Sequence, residues 1–371
     1  MVISGTFGRT LENKSYGLTK VEKDFTEASM ETPAEKLAGL KLDGNWGVKE
    51  KIPQSMSATG GCFSHGYLVE DASGRRAFLK ALDFSKAFTG KDPTRLLEAM
   101  TTAYNFEVDL LKHCRDKRLE HVVHAIHEGH IQIDPSPLGN VPYIIFEYAE
   151  KDSRRMRELM AALDYAMIFR TLHNVANGLM QLHKHGIAHQ DLKPSNILVF
   201  SKKLSKIGDL GRASHKGHTS PWEGLRIPGD STYAPPELLY GHIDPDWTRR
   251  RLGSDLYMLG SLFIFFLTGL SMTALLKAEL DESHNWGNWR GTYDEVLPYI
   301  QNAFSKILER FGREISGNYK DSMLRVVREL CNPKPELRGH PKSFTGMQNQ
   351  YSLERYVTEL DVLAKKVERG F

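Results

Sequence analysis

Polar and apolar positions change their rhythm about 150 residues into the chain. Trp46-Gly47-Val48-Lys49-Glu50-Lys51-Ile52 alternates with the period of a half-buried strand. Tyr67-Leu68-Val69 and Ala77-Phe78-Leu79 predict two more strands, joined by the turn-forming stretch Asp71-Ala72-Ser73-Gly74. Over residues 93–113 apolar side chains recur every three or four positions, the spacing of one helix face, and Tyr143-Ile144-Ile145-Phe146 reads as a short apolar strand. Beyond residue 150 helical patterns dominate, at 166–185, 254–268, 293–311 and 353–368. Strands followed by helices predict an α+β fold of two lobes, a small β-rich lobe over 44–150 and a larger helical one over 151–371. Residues 1–43 are polar and weakly periodic, and predict a loosely docked extension with one short helix over 33–41.

A length of 371 residues fits two to three such units. With 40% hydrophobic and 26% charged residues the composition is that of a soluble globular protein. The charge balance, 49 − 46 = +3, gives no footprint for nucleic acid or a membrane surface, so neither is expected as a partner. One apolar run, Leu256 to Leu270, needs a decision. It is shorter than the roughly 20 residues of a membrane span, begins beside Asp255 and contains Gly260 and Ser261, so it predicts a buried core helix. Cys62, Cys114 and Cys331 are too far apart for a disulfide framework or a paired-cysteine metal site, which predicts a reducing, cytoplasmic setting. The first residues lack the apolar core of a secretory signal. The sequence leaves the oligomeric state open.

The densest chemistry lies in His189-Gln190-Asp191-Leu192-Lys193-Pro194-Ser195-Asn196-Ile197-Leu198, followed by Gly208-Asp209-Leu210-Gly211. This pair of segments resembles the catalytic loop and metal-binding turn of the eukaryotic-like (Hanks-type) serine/threonine protein kinases. The resemblance covers about residues 45–371 and implies the bilobal kinase fold, ATP as phosphate donor and a protein hydroxyl as acceptor. Phosphoryl transfer passes through a loose, highly charged transition state, so it needs positioning and charge neutralisation more than covalent help. Asp191 is implied to accept or orient the substrate hydroxyl, and Lys193 to reach the γ-phosphate. Asn196 and Asp209 are implied to hold magnesium, with manganese as the alternative ion, through hard oxygen atoms. Lys80 takes the place of the family's phosphate-contacting lysine and Glu107 that of its helix partner, in preference to Asp109. The 80–107 separation exceeds the usual one, and about 83–101 reads as an inserted segment with its own helix.

Further matches follow in order. Phe146, Glu147 and Ala149 correspond to the hinge that bonds adenine, and Leu198 to the floor beneath it. Pro235-Pro236-Glu237 corresponds to the end of the activation segment, Asp255 to the anchor of the catalytic loop, and Arg338 to the partner of Glu237. Lys193 favours the serine/threonine branch over the tyrosine kinases, and autophosphorylation is expected.

Three departures qualify the match. The glycine-rich loop keeps Gly60, Gly61, the tip residue Phe63 and Gly66, but has Thr59 and Ser64 where the family has glycines. Glycine lets backbone amides approach a phosphate closely, so the loop is expected to cover ATP less tightly. Phe78 stands where a small residue is usual and Gly66 where a valine is usual, which predicts that Phe78 fills the space above adenine. Gln190 replaces the arginine that pairs with a phosphorylated activation segment. The segment still offers Ser214, Thr219, Ser220, Ser231 and Thr232, but it is expected instead to be ordered by packing around Tyr233 and Pro235, or regulated by another partner or by the N-terminal extension. Ser4-Gly5-Thr6-Phe7-Gly8-Arg9 imitates a glycine loop without the strand, lysine and helix that should follow. His121, His124, His127 and His130 alternate along a predicted strand and read as scattered side chains. A regulatory pseudokinase and a small-molecule kinase are the alternative readings. The complete set Lys80, Glu107, Asp191, Asn196 and Asp209 opposes the first, and the Pro-Pro-Glu segment opposes the second.

Overall fold

The alternating first part of the chain builds one antiparallel sheet. In the computed structural model, which describes residues 31–53, 64–160, 163–315, 317–344 and 349–370, the sheet comprises β1 (Lys41–Leu42), β2 (Trp46–Ile52), β3 (Ser64–Glu70), β4 (Arg76–Leu82), β5 (Ala125–Gln132) and β6 (Asn140–Glu147). Their order is β1-β2-β3-β4-β6-β5. Alternate side chains Tyr67, Val69, Ala77, Leu79, Tyr143 and Ile145 are buried on one face, as the period of two requires.

That face is closed by residues that sequence reasoning assigned to the loose extension. Ala34 and Leu37 are at most 1% exposed, and both join the cluster formed by Tyr67, Leu79 and Tyr143. The Tyr67 hydroxyl donates to the Ala34 carbonyl at 2.8 Å. Thr32 Oγ1 donates to Asp83 Oδ2 at 3.0 Å, and β1 pairs with β2. The stretch from Thr32 to Leu42 therefore belongs to the small lobe, about ten residues before the expected boundary at 43. Its helical part is only the 3-10 turn Pro33–Glu35. Three buried apolar residues are too few to show a period in the sequence.

After β4 the expected insertion has no α-helix of its own. A 3-10 turn, Phe84–Thr89, leads to Asp92, whose carboxylate accepts from the Arg95 N–H at 3.1 Å. Pro93 then opens a single helix, α1 (Pro93–Asp116), which carries Glu107. The extra length thus extends the same helix at its N-terminus.

The second lobe contains α2 (Ser153–Glu158), α3 (Tyr165–Lys184), α4 (Pro236–Leu239), α5 (Gly253–Thr268), α6 (Met272–Glu279), α7 (Tyr293–Glu314), α8 (Lys320–Leu330) and α9 (Glu354–Glu368). Short strands β7 (Lys151–Asp152), β9 (Ile197–Val199) and β10 (Ser205–Ile207) form one small sheet, and β8 (Ile187–Ala188) pairs with β11 (Ser214–His215). The apolar run expected to be a core helix is α5, buried continuously from Gly253 to Phe266. A helix apolar all round must be wrapped on all sides, and α5 is the axis of the large core. Among the described residues no single helix is long and apolar enough to cross a membrane. A second cluster bridges the lobes, joining Leu110 and Leu111 of α1 to Leu182, Ile187 and Leu210. It fixes α1 relative to the loops that carry Asp191 and Asp209.

Candidate active site

The loop after β8 is held from beneath by Asp255 in the first turn of α5. Its Oδ2 accepts from the His189 N–H at 2.7 Å and its Oδ1 from the Gln190 N–H at 2.8 Å. Gln190 has φ 68°, a left-handed conformation that costs a non-glycine residue energy and persists only where its surroundings enforce it. The turn presents Asp191 to the cleft between the lobes. Asp191 Oδ1 accepts from the Asp230 N–H at 2.7 Å. Asp191 Oδ2 lies 3.0 Å from Lys193 Nζ and 3.1 Å from Asn196 Nδ2, which also donates to the Asp191 carbonyl at 2.8 Å. Burial pushes the Asp191 carboxyl upward and nearby Asp209 adds to this, against the pull of Lys193 and the Asp230 N–H.

Opposite stands a second charged group. Lys80 on β4 places Nζ 2.8 and 3.0 Å from the two Glu107 oxygens, and 3.5 Å from Asp209 Oδ1. Asp109, the competing acid, is exposed on the other face of α1. Burial disfavours the Lys80 ammonium, but Glu107 and Asp209 outweigh it and hold its pKa above the ordinary lysine value. Lys80 in turn holds the Asp209 carboxyl below the usual range. Asp209 has φ 60°, the second strained residue at the cleft. The two aspartates are thus pushed in opposite directions.

The residues matched to the hinge lie at the end of β6. Phe78 of β4 sits opposite Phe146, with ring centroids 6.4 Å apart. A Cβ built on Gly66 would lie 2.8 Å from Phe78 Cε2, so the Phe78 ring occupies the space a larger residue at 66 would need. Leu198 on β9 packs into the same bridging cluster as Phe78 and Phe146. Glu147 turns its carboxylate toward Lys206 Nζ of the large lobe, at 2.7 and 2.8 Å, and also accepts from the His124 N–H of the small lobe at 2.8 Å. Ala149 follows in the connection between the lobes. Gly60, Gly61 and Phe63 lie outside the described residues, as does the Ser4–Arg9 imitation of a glycine loop.

Asn196 and Asp209 suit a magnesium ion by donor chemistry. The Asn196 amide nitrogen is committed to Asp191, which leaves Oδ1 as its donor atom. The Asp209 side chain, 40% exposed, adds an anionic oxygen. Two hard oxygens leave further positions for water and phosphate oxygens, as this ion prefers. Among the described residues no three His, Cys, Asp or Glu side chains converge as metal ligands, and the four spaced histidines form no such group.

The far end of the activation segment is fixed by Arg338, which is fully buried. Its Nη1 and Nη2 lie 2.8 and 2.9 Å from the Glu237 oxygens. A pair of this kind stands or falls together, because either charge alone would be buried without a partner. Sequence reasoning missed Asp230, Glu223, Arg251 and Lys206. Neither a lone acid such as Asp230 or Glu223 nor one member of a basic run such as Arg251 in Arg249-Arg250-Arg251 carries a local pattern that distinguishes it from a solvated charge.

A family model described as the protein kinase domain matches residues 61–348, more than half of the chain. Among curated proteins, the serine/threonine-protein kinase SSN3 of Phaeosphaeria nodorum is 27% identical over 226 residues, which covers 58% of this chain and 46% of that protein. The ssn3 kinase of Aspergillus clavatus is 30% identical over 179 residues, covering 46% of this chain and 38% of that protein. That of Coccidioides immitis is 30% identical over 177 residues, covering 46% and 34%. The chain spans less than half the length of these relatives.

Proposed function

This chain belongs to the protein kinase domain family, and on that premise we propose that it is an active serine/threonine kinase that transfers the γ-phosphate of ATP to a protein hydroxyl. One observation carries the reading: Lys80 pairs with Glu107 at 2.8 Å and approaches Asp209 at 3.5 Å, while Asp191, Lys193 and Asn196 converge on the other side of the cleft. In this reading Lys80 orients the α- and β-phosphates and Glu107 orients Lys80. The acceptor oxygen attacks the γ-phosphorus, the bond from that phosphorus to the β–γ bridging oxygen breaks, and ADP leaves with the bonding pair. The hydroxyl proton passes to Asp191, whose raised pKa suits a proton acceptor. Lys193 neutralises charge on the phosphoryl group in flight. Asn196 and Asp209 would hold a magnesium ion, with manganese as the alternative, and that ion would neutralise charge on the phosphate oxygens. Phe146, Leu198 and Phe78 frame the adenine ring. Lys193 supports serine and threonine as acceptors, and autophosphorylation follows if a chain's own hydroxyl reaches Asp191.

The test is transfer of radiolabelled phosphate from ATP to a generic protein acceptor and to the chain itself. Lys80→Met, Asp191→Ala and Asp209→Ala should each lower the rate roughly 100-fold or more while the chain stays folded, as circular dichroism would report. Turnover at the wild-type level in Asp191→Ala would remove the assignment of the catalytic loop. A wild-type chain that binds nucleotide yet transfers nothing would favour the pseudokinase reading.

A further inference from the structure

The groove between α7 and α8 carries charge that the fold leaves unpaired. It holds about 590 Å³, and its walls come from these two helices. Leu308, Gly312 and Arg313 face it from α7, and Lys320, Leu324 and Arg328 from α8. Gly312 sets its depth. A Cβ there would lie 3.1 Å from Leu324 Cδ1 and 3.9 Å from Lys320 Cε, so a side chain at 312 would crowd the floor between them. None of the lining residues belongs to the catalytic loop, the hinge or the activation segment.

The electrostatics are one-sided. Three cations and one carboxylate, Glu309, line the groove, a balance of 3 − 1 = +2. Glu309 lies only loosely beside Arg313, at 3.9 Å. Neighbouring basic residues on the same helices are matched: Lys306 and Arg310 with Glu279, and Arg325 with Glu329 and Glu359. Among the described residues Lys320 and Arg328 have no ion-pair partner. The groove is also held in shape. Tyr319, just before α8, sets its ring centroid 4.7 Å from that of Tyr165 and 5.5 Å from that of Phe169, both on α3. At the other end of α8 the Tyr356 hydroxyl of α9 donates to Glu329 at 2.9 Å. A ligand therefore meets α8 already in place, which spares the cost of ordering it on binding.

The spacing selects the ligand. Lys320, Leu324 and Arg328 stand four residues apart on one stripe of α8, so steps of about 6 Å separate them along its axis. In an extended peptide alternate side chains share one face and repeat at about 6.6 Å. An acid, an apolar residue and a second acid at alternate positions therefore fall opposite Lys320, Leu324 and Arg328 in turn. An inorganic anion is too small to meet both Lys320 and Arg328, about 12 Å apart along the helix.

We propose that the α7–α8 groove binds an extended acidic segment of a partner protein with the pattern acid-x-apolar-x-acid: its acids pair with Lys320 and Arg328, and its apolar side chain packs on Leu308 and Leu324. Arg313, across the groove, adds attraction at longer range. The site takes no part in phosphoryl transfer, and its test does not depend on the kinase reading.

The full chain is titrated against fluorescein-labelled Gly-Ser-Glu-Ser-Leu-Ser-Glu-Ser-Gly and followed by fluorescence anisotropy, with the melting temperature reporting the fold. Binding should saturate, and should be about tenfold tighter than that of a scrambled peptide with its two glutamates adjacent. Lys320→Glu and Arg328→Glu should each weaken it about tenfold at an unchanged melting temperature, because neither side chain pairs with anything in the fold. The doubly reversed chain should instead bind the peptide with lysines in place of both glutamates, within about threefold of the original affinity. Serine in place of the peptide leucine should weaken binding about fivefold, an arm that needs no protein variant. If a reversed variant melts early, Lys320→Met and Arg328→Met remove the charge alone and should weaken binding about threefold. Failure of the peptide to bind overturns the proposal. So does equal binding of the scrambled peptide, which would show charge acting without register. Full affinity in the charge variants, or displacement of the peptide by millimolar inorganic phosphate, overturns it as well.

Discussion

Gln190 and Arg251 exchange hydrogen bonds in the floor of the cleft: Gln190 Nε2 donates to the Arg251 carbonyl at 2.9 Å, and Arg251 Nη1 donates to Gln190 Oε1 at 3.1 Å. The neutral amide just before Asp191 thus holds an arginine where the resemblance led us to expect one in its own place. That arginine reaches the activation segment. Its Nη2 donates to the Glu223 carbonyl at 3.2 Å, while Arg250 Nη2 lies 2.7 Å from Glu223 Oε1. Ser214 Oγ donates to Glu223 Oε2 at 3.2 Å. Glu223 is thus clasped from within the chain by Arg250, Arg251 and Ser214.

The first prediction follows from that clasp. Phosphatase treatment of the wild-type enzyme, with complete removal verified by mass spectrometry, should leave kinase activity within about twofold, whereas Glu223→Ala should lower it about tenfold. Loss of nearly all activity on phosphatase treatment, with recovery on rephosphorylation of the 209–237 segment, is the contrary result.

Steric exchange between Gly66 and Phe78 gives the second. A valine at 66 drives its Cβ into the Phe78 ring, whose Cε2 and Cζ would lie at 2.8 and 3.1 Å. Gly66→Val should cost about 1–3 kcal/mol in stability or nucleotide binding. Adding Phe78→Ala opens that space and should restore most of the loss. Thermal melts and titration with a fluorescent nucleotide decide it: losses that simply add in the double variant show that the two residues do not share one space.

The small lobe should fail without the segment before β1. Leu37 is fully buried beneath the sheet, so Leu37→Ala should cost about 2–5 kcal/mol in urea unfolding. A chain beginning at residue 44 loses Ala34, Leu37 and Leu42 together and should melt well below the full chain. Equal melting temperatures would show that the sheet closes without them.

Acid should loosen the junction between the lobes. His113 of α1 lies with its ring centroid 5.6 Å from that of His185 and 5.5 Å from that of His215, and His215 stacks on His218 at 4.0 Å. Burial, then His113 and Lys117, hold His185 below the ordinary 6.5. Burial, then His218 and His113, do the same to His215. The unfolded chain therefore binds more protons than the folded one just below pH 6.5. The stabilisation is complete above that value and is lost as the pH falls through the depressed folded values. Melting temperature measured against pH should decline below about 6.5, and His185→Gln with His215→Gln should flatten that decline. An unchanged slope in the double variant would place the acid sensitivity elsewhere.

The catalytic loop was legible because its chemistry is local. Asp191, Lys193 and Asn196 lie within six residues, and the strand and helix periods around them reflect burial on one face, which a sequence records directly. Glu107 was legible through the family resemblance, which places the lysine's partner on this helix, and the apolar face of Phe106, Leu110 and Leu111 set Asp109 aside. The two-lobed order of strands and helices, and the core character of α5, came from the same periodicities. Tertiary structure alone decided the partners of isolated charges. Glu223 meets Arg250, Lys206 meets Glu147 and Asp230 meets Lys193 across separations of 27, 59 and 37 residues in the chain. A single charged residue has the same local signature whether solvated or paired, since the pairing depends on a distant segment. The limit of the small lobe was hidden likewise, because Ala34 and Leu37 become core residues only where the folded sheet offers them a face to cover.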